Sequence, residues 1–342
     1  MNYTNQTILN AVIEKAKQLP CPSALIGIYG SVNTLDEHEK SDLDLLILTD
    51  GNPIEEISRC FIVEDCGVGY DLYCTSWDRL RFDAECRHAK LAKLFDSEIV
   101  LINDEAAYQE LLRLRKNAKD TLNSPARFER VNDLLTQAKI CYANAALSES
   151  LGEVRYEAFG VINFLADAFM LYHGCYFKRG TKQMLNELSA LPIDQSVIKT
   201  MRAIALATSI SALRTLTKEL LLFAQKALTH PKEKEAPSKN LAGTYEEIVS
   251  NWKNKVTLAA KENDAFSSFM NMGSLHGMMK EIADGIEIGS YNLLETYDPS
   301  DLTQNVKAFE QLLEHYESIY SSAGITVKRY PSADAFALDY LK

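Results

Sequence analysis

The sequence predicts an α+β protein in which a mixed β-sheet with flanking helices precedes an all-helical C-terminal domain. Before residue 120, short β-prone apolar runs alternate with segments of helical periodicity. Beyond Ser124 and Pro125 the helical periodicity continues, and no strand-like run of any length appears until the last twenty residues. Because the chain has 342 residues, longer than one core normally organises, we expect more than one domain.

Composition and charge argue against several functional classes. The formal net charge of −11 disfavours binding to long nucleic acids, since such proteins present basic faces to phosphates. The seven cysteines form no C-x-x-C pair, which indicates reduced thiols rather than a disulfide framework or a zinc site. No basic N-terminal region precedes an apolar core, and no apolar run could span a bilayer. We therefore expect a soluble cytoplasmic protein, away from membranes, with a small neutral or cationic substrate. A homodimer is compatible with the sequence.

A buried strand followed by a glycine turn is the centre of the first domain. Residues 24 to 29 are mostly apolar, and the run ends at Gly30 and Ser31. Because glycine lacks a β-carbon, the backbone can turn there and approach a ligand closely. We therefore expect Gly30 and Ser31 to face a binding site at the end of this strand.

Two aspartates follow this turn after a gap of ten residues. If residues 43 to 49 form a strand, Asp42 and Asp44 point to one face with their Cα atoms roughly 7 Å apart. Mg²⁺ requires oxygen ligands and usually retains substrate phosphate oxygens in its coordination shell. An Asp-x-Asp pair beside a glycine turn therefore suggests chemistry on nucleotide phosphates.

The spacing of Gly30-Ser31 and Asp42-Leu43-Asp44 resembles the signature of the DNA polymerase β-type nucleotidyltransferase superfamily, especially its small antibiotic-modifying members. The resemblance covers mainly residues 20 to 76 and implies an N-terminal nucleotidyltransferase fold. It also implies two Mg²⁺ ions bound to a nucleoside triphosphate by Asp42, Asp44 and a third carboxylate on a neighbouring strand. Asp71, alone in a β-prone run, is our choice for that third ligand. The alternative is an exposed aspartate on an edge strand.

A helix that begins near residue 153 carries the candidate general base. On a helical wheel one stripe contains two glutamates, a glycine, an aromatic residue and an aspartate, namely Glu153, Glu157, Gly160, Phe164 and Asp167. A glycine in mid-helix suggests that something packs closely against the backbone there. The resemblance implies a catalytic glutamate in this region, for which we choose Glu157 and then Glu153, or alternatively Glu85 soon after the third strand. A solvated helix face is the competing interpretation.

A basic segment after this helix is the candidate site for the triphosphate. Lys178, Arg179 and Lys182 lie in a loop and at the start of the next helix, where unpaired N–H groups favour anions. An ordinary solvated basic turn would have the same sequence. The chain lacks the arginine that many family members carry soon after Gly-Ser, and has Val32, Asn33 and Thr34 instead. Phosphate charge must therefore be met elsewhere.

These features predict transfer of a nucleoside monophosphate, AMP from ATP, to a hydroxyl of a small molecule such as an aminoglycoside or lincosamide. Such an activity would confer antibiotic resistance. Two alternatives stay open, namely nucleotidylylation of a protein or RNA as in toxin–antitoxin systems, and a nucleotide-binding regulator without turnover. We expect a catalytic domain over residues 1–120, a helical substrate-binding domain over 124–230, an exposed linker after His230, and a helical lobe of unassigned role over 240–342.

Overall fold

The computed structural model describes residues 1–19, 23–32, 34, 37–38, 40–49, 54–230 and 233–342, except for the side chains of residues 54 and 55. Cys21 and Asn33 lie outside the described residues, as do residues 231 and 232 of the predicted linker. The chain forms two compact units, Met1–His230 and Pro231–Lys342. The predicted α+β class is confirmed, because a mixed sheet lies in the N-terminal part and the rest of the described chain is predominantly helical.

A four-stranded mixed sheet is the centre of the first unit. The strands of the described residues are β1 (Leu25–Tyr29), β2 (Asp44–Leu48), β3 (Arg59–Val63), β4 (Val68–Leu72), β5 (Cys74–Thr75) and β6 (Glu98–Ile102). The order in the sheet is β5-β2-β1-β6, with β1 antiparallel to both β2 and β6 and with β2 parallel to β5. Tyr29 pairs with Asp44, so the end of β1 meets the start of β2.

The third strand expected from the sequence, which carries Asp71, belongs to a separate two-stranded sheet of β3 and β4. Along β4, Val68, Tyr70 and Leu72 are buried, whereas Gly69 and Asp71 are exposed. This alternation is that of a strand with one face on a core and one face in solvent.

Helices cover both faces of the four-stranded sheet. In the described part of the first unit they are α1 (Tyr3–Gln18), α2 (Ile54–Ile57), α3 (Trp77–Ala84), α4 (Ala92–Phe95), α5 (Glu105–Leu122), α6 (Ala126–Leu147), α7 (Leu151–Tyr172), α8 (Thr181–Ser189), α9 (Gln195–Leu206) and α10 (Ile210–Ala227). Leu25, Leu46 and Leu48 contribute to one core, which extends through the helices as far as Leu228. The opposite face of the sheet packs in a second cluster that contains residues of α1 and of the β3–β4 hairpin. The first core contains residues from both sides of positions 120–124, and residues 1–230 form one compact unit.

One expected helix is interrupted. The sequence periodicity between Trp77 and Ala92 favours a single helix, but the structure ends α3 at Ala84 and begins α4 only at Ala92, with an irregular segment between them. Glu85 is the C-cap of α3, and Cys86 has a positive φ of 53°, which a continuous α-helix does not allow. The interruption places Lys90 and Lys93 on a separate short segment near the end of β1.

The second unit has its own helical core. Its described elements are α11 (Thr244–Ile248), a π-helical turn (Val249–Lys253), α12 (Asn254–Lys261), α13 (Ala265–Gly285), α14 (Leu302–Ser322) and α15 (Ala333–Tyr340). Tyr320 of α14 is fully buried, donates from its hydroxyl to the carbonyl of Leu241, and accepts from the backbone N–H of Tyr245 at 2.9 Å. In the predicted linker, Glu235 bonds through its backbone to Gly285 and Glu287. None of the described helices combines the length and apolar character needed to cross a bilayer.

Candidate active site

A cavity of about 690 Å³ lies in the first unit, beside the ends of β1 and β2. Its wall brings together residues that are far apart in the sequence, from the glycine turn, the Asp-x-Asp segment and the basic loop. Six of the residues singled out in the sequence line it, namely Gly30, Ser31, Asp44, Lys178, Arg179 and Lys182. The cavity is large enough to accept a ligand of drug or nucleotide size.

Gly30 adopts a conformation that only glycine adopts readily, and a carboxylate of the chain itself lies against it. Its φ is +84°, and an added β-carbon would lie 2.9 Å from the carboxyl carbon of Asp44 and would overlap one carboxylate oxygen. The sharp turn expected at Gly30 is therefore present. The missing side chain makes room for Asp44 on the cavity wall.

Asp42 and Asp44 are two carboxylates that form no ion pair with any other described residue. Leu43 and Leu45 are buried, whereas Asp42 is exposed and Asp44 is half-buried, which agrees with the expected alternation. Burial, reinforced by the negative charge of Asp42, raises the pKa of Asp44 to about 6, and Lys93 acts in the opposite direction. A half-buried carboxylate that is costly to ionise fits a position next to a bound cation. Asp42 and Asp44 thus fit the donor set that Mg²⁺ prefers.

Asp71 lies near this pair but is held differently. Its carboxylate is exposed and accepts a hydrogen bond from the Cys60 thiol at 3.2 Å across the hairpin. Its negative charge, together with others, acts on Tyr29 and on Lys93, two residues of the cavity wall, although Asp71 itself does not line the cavity. Among the described residues, no three His, Cys, Asp or Glu side chains are gathered closely enough to hold a metal ion. The role of Asp71 as a third ligand stays a prediction.

The basic loop contacts the glycine turn directly. The guanidinium group of Arg179 donates to the carbonyl of Gly30 at 3.3 Å. The backbone N–H groups of Lys178 and Arg179 donate to the two carboxylate oxygens of Glu187 on α8, at 2.8 and 2.9 Å. These bonds fix the loop against the helix that follows it. Lys178 and Lys182 remain exposed and make no ion pair with any residue that the structure describes.

The cavity is also lined by three cationic residues that sequence reasoning did not identify, namely Arg79, Lys90 and Lys93. Lys90 reaches α7, where its ammonium group contacts Asn163 at 2.8 Å and Asp167 at 3.4 Å. No local motif marks these three residues, because α3, α4 and the segment between them reach the cavity only through tertiary folding. The one hint in the sequence is negative, since the absence of an arginine after Ser31 means that phosphate charge needs another partner.

Asp83 is a buried carboxylate in the cavity wall that sequence reasoning also missed. One of its oxygens, Oδ1, lies 3.3 Å from Nε of Arg79 and 3.2 Å from Nε2 of His88. The backbone N–H of Lys90 donates to Nδ1 of His88 at 3.2 Å, so the proton of the neutral imidazole lies on Nε2 and points at Asp83. Oδ2 of Asp83 makes no hydrogen bond to the described residues.

None of the three glutamates considered as a general base lines the cavity. Glu157 accepts a hydrogen bond from the amide of Asn144 on α6 at 3.2 Å and also bonds to the Cys141 thiol. Glu153 is exposed in the first turn of α7, and Glu85 forms an ion pair with Arg87 at 2.6 Å. The stripe predicted on α7 is real, but at Glu157 it faces α6.

The glycine in this stripe has a packing explanation. A β-carbon on Gly160 would lie 2.8 Å from Sγ of Cys141. The expectation that something packs closely against the backbone there is confirmed, and the neighbouring group is the Cys141 thiol of α6. Further along the same stripe, Asp167 is buried and reaches Lys90.

Comparison with known proteins finds little similarity. No family model matches the chain, and no curated protein matches it. Among solved structures, the chain is similar to a nucleotidyltransferase-like protein from Exiguobacterium sibiricum 255-15, with 12% sequence identity and a TM-score of 0.32. The match covers 66% of this chain and 78% of that one.

Proposed function

We propose that this protein transfers a nucleoside monophosphate, AMP from ATP, to a hydroxyl group of an acceptor and releases pyrophosphate. The observation that carries the proposal is the position of the Asp44 carboxylate over the side-chain-free face of Gly30, in the wall of a cavity that the basic loop also lines. This arrangement places an uncompensated acid, suited to a divalent cation, beside cationic groups suited to phosphates. A triphosphate with bound Mg²⁺ matches both.

In this proposal different residues of the site bind the metal ion and the phosphates. Asp42 and Asp44 would hold Mg²⁺, which supplies Lewis-acid polarisation of the phosphate when bound. Gly30 allows the chain to approach the phosphates, and Lys178 and Lys182 attract their negative charge. The acceptor oxygen forms a bond to the α-phosphorus while the bond to the bridging oxygen of the β-phosphate breaks. The electron pair leaves with pyrophosphate.

We assign the acceptance of the hydroxyl proton to Asp83 in place of Glu157. Asp83 lines the cavity, whereas Glu157 bonds to two residues of α6. The contacts of Arg79 and His88 with one carboxylate oxygen fix the orientation of Asp83. The other oxygen makes no bond to the described residues and is available to a substrate hydroxyl.

The charge of the cavity wall affects which acceptor molecules the site favours. The aminoglycoside expectation depended on an acidic stripe, but Glu153 and Glu157 do not line the cavity. The described lining contains six Lys or Arg residues and three Asp or Glu residues. That excess of positive charge favours a neutral or anionic hydroxylated acceptor over a polycationic sugar, and it also suits the terminal hydroxyl of an RNA. A lincosamide carries fewer positive charges and conflicts less with this wall.

A transfer assay tests the proposal. The purified protein is incubated with ATP, GTP, CTP or UTP and Mg²⁺ against lincosamides, aminoglycosides, neutral sugars and short RNAs, and the products are read by mass spectrometry. We expect an acceptor heavier by one nucleoside monophosphate, with stoichiometric pyrophosphate, and no product when Asp44→Asn replaces the wild type. Nucleotide binding without any transfer would instead support a nucleotide-binding regulator.

A further inference from the structure

Lys93 is a cationic residue in the cavity wall whose charge no carboxylate neutralises at close range. Within the described residues its ammonium group has no carboxylate oxygen within 4.0 Å. It lies instead between two aromatic rings, 5.8 Å from the ring centre of Tyr29 and 5.5 Å from that of Tyr73. Aromatic faces attract a cation without cancelling its charge. The ammonium group is therefore held in place and remains able to bind an anion.

The short helix that carries Lys93 is fixed on several sides. Leu91 and Leu94 are fully buried on either side of it. The guanidinium group of Arg115 donates to the carbonyl of Leu94 at 2.7 Å and to that of Ser97 at 2.6 Å. A lysine on a rigid support retains its direction at lower entropic cost than one on a mobile loop.

The surroundings of Lys93 identify the kind of ligand. Lys93 shares the cavity wall with Tyr29, Gly30 and Asp44, and Tyr29 pairs with Asp44 across the two strands. Asp44, Asp71 and Asp83 act on it electrostatically from beyond ion-pair distance, while burial removes part of its hydration. A partly desolvated ammonium group gains most from an anion with several acceptor oxygens, and a phosphate is such a group.

We propose that the Lys93 ammonium group binds a phosphate oxygen of the nucleotide directly, next to Asp44 and independently of the divalent cation. This inference rests on the proposed function, because it takes a nucleoside triphosphate as the ligand of the cavity. Lys93 is then a phosphate-binding residue, whereas Asp44 acts through the metal. The two roles differ in their dependence on Mg²⁺.

Binding experiments separate these roles without requiring turnover. Isothermal titration measures the affinity of ATP and of inorganic tripolyphosphate for the wild type, Lys93→Met and Lys93→Arg, each with Mg²⁺ and with EDTA. Methionine retains a stem that can lie between the two tyrosine rings but has no charge. Lys139→Met, an exposed lysine on α6 outside the cavity, is the matched control. Lys93→Gln is a second variant, for use if Lys93→Met melts at a lower temperature than the control.

We expect Lys93→Met to bind ATP and tripolyphosphate about 10- to 100-fold more weakly than the wild type, both with Mg²⁺ and with EDTA. Lys93→Arg should recover most of the loss, and Lys139→Met should bind as the wild type does. Equal binding by Lys93→Met and wild type would overturn the inference and leave the proposed function intact. A loss that appears only with Mg²⁺, or only with ATP and not with tripolyphosphate, would also overturn it. Failure of the wild type to bind ATP at all would remove both.

Discussion

The carboxylate of Asp44 occupies the space that the side chain of residue 30 would fill. Gly30 has a positive φ of 84°. It directly follows Tyr29, which pairs with Asp44 across the antiparallel strands β1 and β2. A β-carbon on residue 30 would lie within 3.0 Å of the carboxyl carbon and the β-carbon of Asp44. The glycine turn and the acid therefore form one structural unit, in which a side chain at residue 30 would displace the carboxylate of Asp44.

Gly30→Ala should destabilise the protein and weaken nucleotide binding together. The left-handed backbone costs a non-glycine residue roughly 1–3 kcal/mol, and the new methyl group displaces Asp44 from the cavity wall. Urea unfolding measures the first effect and titration with ATP and Mg²⁺ the second. Gly69→Ala is the control, since its β-carbon would meet nothing within 4 Å and its φ is not in the left-handed range. A Gly30→Ala variant as stable as Gly69→Ala would contradict the geometry.

Asp44 should make stability depend on pH in the metal-free protein. Its pKa is 3.8 unperturbed and about 6 in the folded state, so the folded protein holds a proton that the unfolded chain releases. Stability should therefore decrease as pH rises through this window. Asp44→Asn removes that decrease, because the amide does not ionise. In thermal melting with EDTA, the melting temperature of Asp44→Asn should be close to that of the wild type near pH 4 and clearly higher than it near pH 7. The same difference at both pH values would show that burial does not disfavour ionisation of Asp44.

The general base can be located by comparing two conservative substitutions. With an acceptor from the transfer assay, Asp83→Asn should lower kcat by roughly 10²- to 10⁴-fold, because an amide does not accept the proton. Glu157→Gln should stay within about threefold of the wild type, since Glu157 bonds to Asn144 and Cys141 rather than lining the cavity. A large kcat loss in Glu157→Gln with little in Asp83→Asn would return the role to α7. An increase in KM alone would give Asp83 a binding role.

The contact between α6 and α7 at Gly160 predicts a rescue. Gly160→Ala should destabilise the protein by about 1–2 kcal/mol, because the added β-carbon would lie too close to Sγ of Cys141. The cost of this overlap should exceed the gain in helix propensity of alanine over glycine. In the double variant with Cys141→Ala the thiol is gone, and the free energy of unfolding should exceed that of Cys141→Ala alone. Chemical denaturation of all four proteins gives the coupling energy. Additive effects of the two substitutions would mean that the two residues do not touch.

Local sequence signals predicted the parts of the site that lie close together along the chain. Gly30 directly follows β1 and Asp44 begins β2, and a glycine turn, a gap of ten residues and strand alternation suffice to predict that they lie together where the two strands pair. Helical periodicity over residues 193–226 also predicts a helix with a break near Thr208, and the structure separates α9 from α10 there, where Ser209 caps α10. Such signals depend on a few residues that are neighbours in the sequence, so tertiary packing does not change the local structure that they predict.

The remaining parts depend on tertiary structure. A helical wheel placed Glu157 and Gly160 correctly on one stripe, but periodicity does not identify the neighbour that covers a stripe, which here is α6. Asp83 reaches the cavity from α3 and Lys93 from α4, which lies beyond a helix break at Cys86, and the positive φ of Cys86 has no signature in residue type. The strand that carries Asp71 was predicted, but its pairing with β3 rather than with the main sheet was not.

Nucleotide binding by wild type and Asp44→Asn, each with Mg²⁺ and with EDTA, tests the central claim most directly. The ligand is a non-hydrolysable ATP analogue with a methylene group between the α- and β-phosphates. Isothermal titration calorimetry measures its binding. We predict one site per chain and binding by the wild type that is at least 10-fold tighter with Mg²⁺. Asp44→Asn should lose this gain and, in EDTA, bind at least as well as the wild type, because a repulsive charge is gone. Absence of wild-type binding, or an undiminished gain from Mg²⁺ in Asp44→Asn, would contradict the account.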